Sequence, residues 1–206
     1  MSNAVTENHH NHYDPTGIRF GMWLFLFTEI LLFGTLFIVY AVYRFANSEP
    51  FHDASATLSI LHGTVNTVVL LTSSLTVALS ITALQKGQVK RSINLLLITI
   101  LLAGVFLVIK FFEYKAKYHY GLFPGMEGYI ELPTGQKQFF NLYFFMTGLH
   151  AIHVIIGMIL LGIIAWYIRK GTINPTRYVY LENSGLYWHI VDVVWIFLFP
   201  LFYLII

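Results

Sequence analysis

The residues able to do chemistry in this chain are few, and most of them sit where hydrocarbon is expected. "LYWHIVDVVWIFLFPLFYLII", residues 186–206, is apolar enough to enter lipid yet carries His189 and Asp192 three positions apart. That spacing sets both side chains on one helical face. Glu29, His62, Glu113, His150 and His153 likewise fall within or at the edge of apolar runs. Ionisable groups at such depth are costly, and they persist where they pair, face a bundle interior or carry function. Carboxylates and imidazoles together offer three chemistries: proton exchange, ligation of a metal or haem, and hydrogen bonding between helices.

Helices must position these groups, and composition says of what kind. The 206 residues are 57% hydrophobic and 11% charged, and the mean hydropathy is +0.67. An average soluble domain is about 25% charged, so the chain reads as an integral membrane protein. A net charge of +2 without a Lys/Arg cluster gives no reason to expect a nucleic-acid partner. The absence of cysteine excludes disulfides, thiolate copper or iron–sulfur sites, and covalent c-type haem attachment.

Residues 1–19 are polar and rich in His and Asn ("TENHHNHYDPTG"). They read as a solvated, flexible tail rather than a metal site at His9, His10 and His12. The first apolar run is too long for a signal-peptide core, and it reads as a retained span. Five runs then reach the roughly 20 residues needed to cross a bilayer: 20–43, 58–85, 92–112, 139–168 and 185–206. The fold class expected is all-α, a polytopic membrane protein with five transmembrane helices forming one domain over residues 20–206. Arg19, Lys86, Lys90, Arg91, Arg169, Lys170 and Arg177 fall on one side, against Arg44, Lys115, Lys117 and Lys137 on the other. The excess predicts the N-terminus inside and the C-terminus outside. Lys110, near the end of the third run, is expected to snorkel outward.

Depth predicts partners. A rise of about 1.5 Å per residue puts Glu29 and His150 roughly 13–14 Å above the inner surface, and His153 and Asp192 roughly 9–10 Å above it. The expected pairs are therefore His150 with Glu29 and His153 with Asp192, with His62 and Glu113 near the outer end. Asn66, inside the second run, needs a partner on another helix. Such pairs would join helices, and Glu29 is in addition a candidate for proton handling. Four intramembrane histidines also match the number that two bis-histidine haems require, so a di-haem, quinone-linked cytochrome is the alternative. Against it, His150 and His153 lie only about 4.5 Å apart along the axis. A di-iron centre would want Glu-x-x-His on two helices, whereas the chain offers His-x-x-His and His-x-x-Asp.

Four blocks carry a family resemblance: "GMWLFLFTEILLFGTLF" (21–37), "VNTVVLLTSSLTVAL" (65–79), "FFMTGLHAIHVIIG" (144–157) and "YWHIVDVVWIFLF" (187–199). In order and spacing they resemble subunit III of haem–copper terminal oxidases, and "FEYK" (112–115) is similar to a Glu-Tyr element of that family. The resemblance covers nearly everything after residue 19 and is to the short, five-helix bacterial form. It implies a subunit without redox centres of its own, packed against the catalytic subunit I that holds haems and copper. It implies bound phospholipid, a role in sustaining proton uptake and assembly, and residence in the bacterial inner membrane. Glu29 matches the family's carboxylate in a Ser-Glu element, here Thr28-Glu29, and Arg169 falls near a basic residue that contacts lipid phosphate in relatives. An accessory subunit of a nitric oxide reductase, which shares the fold, is the further alternative. Two helices of the seven-helix form are missing, so half of the family's lipid cleft would have to come from elsewhere.

Overall fold

The computed structural model describes residues 14–204; His9, His10 and His12 lie outside them. Every regular element among the described residues is helical, and five helices are long and apolar enough to span a membrane. They are α1 (Pro15–Ala46), α3 (Ile60–Gln85), α4 (Val89–His119), α6 (Thr134–Arg169) and α7 (Val179–Tyr203), with short helices α2 (Ser48–Ser55) and α5 (Glu127–Glu131) between them.

Each span overlaps an expected run, and all but α3 reach beyond it at one end or both. Helix α1 starts at Pro15, inside the segment read as tail, because Asp14 caps it: the Asp14 carboxylate accepts from the Thr16 and Gly17 amides at 3.0 and 3.1 Å. A side-chain cap with proline at the first helical position is a strong start signal that hydropathy does not register. Helix α4 continues to His119 and α6 begins at Thr134, so the segment 113–138 is mostly helix rather than one long loop. Polar residues continue a helix readily once its backbone ladder is in place.

The interior stripes explain the packing. In α4 the buried positions are 92, 96, 99, 103, 106, 110, 113 and 117, and in α3 a stripe at 63, 66, 70, 73, 77, 80 and 84 is buried with 76 and 83 beside it. Alternating steps of three and four keep one seam facing a neighbour. Helices α3, α4, α6 and α7 form a four-helix bundle in that ring order, each packed against the two beside it. Helix α1 lies outside the ring against α7 and α6, burying only Leu26, Phe33 and Tyr40, at intervals of seven. The Tyr40 hydroxyl donates to the Leu201 carbonyl, which fixes α1 to the end of α7.

Small residues set the close approaches. A methyl added to Gly157 would lie 2.8 Å from the Trp188 ring, and one added to Gly63 would lie 2.6 Å from Phe199. Both glycines stand where α7 places a large aromatic against its neighbour, as expected of membrane bundles held by shape rather than by a hydrophobic drive.

Candidate functional site

The bundle interior carries polar groups at several levels, and they divide into satisfied and unsatisfied sets. Where α3 begins and α4 ends, Lys110 is buried, with its ammonium on Glu113 Oε2 at 3.1 Å. The same ammonium donates to the Tyr203 and Tyr143 hydroxyls at 2.7 and 3.1 Å. Those hydroxyls in turn donate to Glu113 Oε1 at 2.6 and 2.8 Å. Four rings (Tyr114, Tyr143, Trp195 and Tyr203) surround the ammonium at 4.9–5.4 Å. This overturns the snorkelling expectation for Lys110. Glu113 lies one turn further along the same helix face, and an intrahelical ion pair sealed by two phenols outweighs the pull of solvent. Tyr143 and Tyr203 are the residues that sequence reasoning missed, and Lys110 the one it turned the wrong way; the signal available was a lysine three positions from a glutamate on an apolar helix.

Glu29 and His153 form the second satisfied set. His153 Nε2 lies 2.9 Å from Glu29 Oε2, both groups being half-buried, and the link ties α1 to α6. On its other side, His153 Nδ1–H donates to the Leu149 carbonyl at 2.8 Å. A carbonyl only accepts, so the Nδ1 proton is committed there. The Nε2···Oε2 contact then holds one shared proton, as imidazolium with carboxylate or as imidazole with carboxylic acid. Phe33 packs edge-on against the ring at 5.2 Å and fixes its plane.

Both expected pairings are thus corrected. Glu29 takes His153, not His150, and Asp192 takes neither. His150 is buried between Phe106 and Trp195, with ring centroids 5.6 and 5.3 Å away, and neither ring nitrogen has a hydrogen-bond partner. The oxygens of Asp192 are equally unbonded; its polar neighbour is Ser74 on α3, whose hydroxyl is held by His189 Nδ1 at 2.6 Å. Asn66, also expected to find a partner, is buried with its amide unbonded. Height missed by about one helical turn and carried no azimuth. His150 and His153 are offset by only about 60° around α6, but that is enough for His150 to be fully buried in the bundle while His153, at the rim of the same face, reaches α1.

The other site residues fall as follows. His62 is exposed on the first turn of α3 and shares a cavity of about 320 Å³ with Glu113. Arg169 is exposed in the last turn of α6. Among the described residues, no three His, Asp or Glu side chains converge to hold a metal ion. Indole donors complete the interior: Trp188 Nε1–H donates to Ser73 at 3.1 Å and Trp195 Nε1–H to Thr67 at 3.0 Å.

Fold and interior together define a class: an integral membrane protein of five spanning helices, knitted across the bundle by indole, phenol and hydroxyl contacts. The particular family follows from comparison, since the family model for cytochrome c oxidase subunit III matches residues 1–205, and the chain belongs to that family. It is 31% identical over 197 residues to cytochrome c oxidase subunit 3 of Thermostichus vulcanus, covering 95% of this chain and 91% of the relative. It is 30% identical over 187 residues to cytochrome bo(3) ubiquinol oxidase subunit 3 of Pseudomonas putida, covering 90% and 84%. It is also 29% identical over 200 residues to heme-copper oxidase subunit I+III of Aeropyrum pernix, covering 91% of this chain and 23% of that longer protein. The chain is a subunit III of the haem–copper terminal oxidases, a family of aerobic respiration, and the di-haem and nitric oxide reductase alternatives find no support.

Proposed function

We propose that this chain is a non-catalytic subunit that docks on the catalytic subunit I, stabilises it in the membrane and feeds protons toward it. The haems and copper belong to the partner subunits, and the chain itself contributes packing, phospholipid binding and local proton exchange. It resides in a bacterial inner membrane with its N-terminus on the cytoplasmic side. The relative named as subunit I+III supports a direct and permanent association with subunit I. Helix α1 supports it too, since most of its apolar surface (Phe20, Trp23, Phe27 and Ile30 among others) is left uncovered by this chain. Arg169, exposed at the α6 terminus, is the cation assigned to a lipid phosphate.

The observation that carries the proton reading is the Glu29–His153 pair. One proton is shared over 2.9 Å between α1 and α6, and both groups are partly accessible. A carboxyl–imidazole pair is a suitable relay because either partner can hold the proton. Glu29→Gln in the assembled oxidase tests it, since glutamine keeps a hydrogen bond to His153 but cannot release a proton. The expected result is an assembled complex with a lower pumping ratio or a shorter life under turnover. Unchanged oxygen consumption, pumping ratio and inactivation lifetime would leave Glu29 a structural residue only.

A further inference from the structure

A second buried ammonium lies close to the Lys110–Glu113 pair without a carboxylate of its own. Lys117 is 6% exposed, and its Nζ donates to the Thr57 carbonyl at 2.6 Å and the Thr57 hydroxyl at 3.0 Å. An ammonium has three N–H groups, so one is left unspent. Among the described residues no carboxylate lies within 4.0 Å of Lys117. Glu113 is nearby, but its oxygens are already taken by Lys110, Tyr143 and Tyr203. Two ammoniums against one carboxylate leave a local charge of about +1 in a region with few compensating groups. The 320 Å³ cavity beside Lys117 is lined also by Thr57, Ser59, His62, Glu113 and Tyr120. Ser59 is the N-cap of α3, yet its hydroxyl makes no capping bond.

From this cavity we infer a binding site for the phosphate of a membrane phospholipid. Lys117 neutralises the anion, and the Ser59 and Tyr120 hydroxyls and the His62 ring supply further donors around it. An ammonium donating to a phosphate oxygen makes a charge-assisted bond, stronger than its present bonds to neutral oxygens. A lipid fits better than free phosphate because an apolar track leads from the cavity into the bilayer. Phe112 lines the cavity, Leu61 is exposed at its level on the first turn of α3, and Val108 and Leu101 on α4 with Val65 on α3 stay exposed below it. The cavity is thus amphipathic in the order that a glycerophospholipid requires, headgroup at the helix ends and acyl chain along the α3–α4 seam. It lies at the opposite end of the bundle from Arg169 and does not rest on the lipid role assigned there.

The test is photo-crosslinking in the intact oxidase with phosphatidylglycerol carrying a diazirine near the glycerol end of one acyl chain, mapped by peptide mass spectrometry. Labelling of the peptides containing Leu61 and Phe112 is expected. Lys117→Gln, which can keep its bonds to Thr57, is expected to lower that labelling about tenfold. The rim variant Ser59→Ala/His62→Ala is expected to lower it several-fold without touching the buried lysine. Equal labelling in wild type and Lys117→Gln overturns the site. If Lys117→Gln does not assemble, unchanged labelling in the rim variant overturns it instead. Displacement of the probe by millimolar inorganic phosphate would assign the site to the free ion and overturn the lipid assignment.

Discussion

Glu29 on α1 and His153 on α6 meet at 2.9 Å, although 124 residues separate them. This polar link is one of few ties between α1 and the bundle, because α1 buries only three side chains. The link should therefore matter for how α1 is held as well as for proton exchange.

The first prediction concerns that coupling. In a double-mutant cycle, Glu29→Ala and His153→Ala should be non-additive by about 0.6–1.7 kcal/mol, between the average and the largest value for hydrogen bonds between membrane helices. Asp192→Asn with His153→Ala should instead be additive, because the Asp192 oxygens make no bond to His153. Denaturant unfolding in detergent measures both cycles. Coupling in the second cycle with none in the first would refute the pairing.

Lys110 and Glu113 should show the asymmetry of a buried pair. Lys110→Met alone leaves the Glu113 carboxylate uncompensated and should cost about 3–5 kcal/mol. The combined Lys110→Met/Glu113→Leu variant should recover much of that, because the whole pair is removed and the Tyr143 and Tyr203 hydroxyls keep one another at 3.4 Å. Thermal unfolding of the three proteins decides it. Equal losses in the single and double variants would mean that packing, not charge, is what Lys110 provides.

The α6–α7 contact is set by the absence of a methyl. Gly157→Ala would press a Cβ to 2.8 Å from the Trp188 ring, which is held in place by its bond to Ser73. A loss of about 1–3 kcal/mol is expected from overpacking, together with a changed tryptophan emission. Gly34→Ala, with nothing within 4 Å of the new methyl, is the matched control and should be near neutral in the isolated subunit. A neutral Gly157→Ala would show that the helices move apart freely.

Two adjacent serines should differ. Ser73→Ala strips the acceptor from a fully buried indole N–H and should cost about 1–3 kcal/mol. Ser74→Ala removes the partner of His189, which is only partly buried, and should cost under about 1 kcal/mol because water can replace the bond. The stability of the two single variants in detergent checks the ranking.

The sequence by itself determined that this chain enters a membrane, crosses it five times and resembles an oxidase subunit III. Apolar length and the order of short motifs are properties read along one dimension, and a bilayer enforces them directly. It also showed which residues were costly where they stood. The partners were decided only by the tertiary structure. Heights placed His150, His153, Glu29 and Asp192 at similar levels, but the side of the helix each occupies depends on which neighbour packs there. His153 faces α1 and so meets Glu29, while His150 faces the interior and meets Phe106 and Trp195. Lys110 was drawn inward for the same reason: Tyr143 and Tyr203, 33 and 93 residues away along the chain, converge on it only once four helices have closed around a common axis.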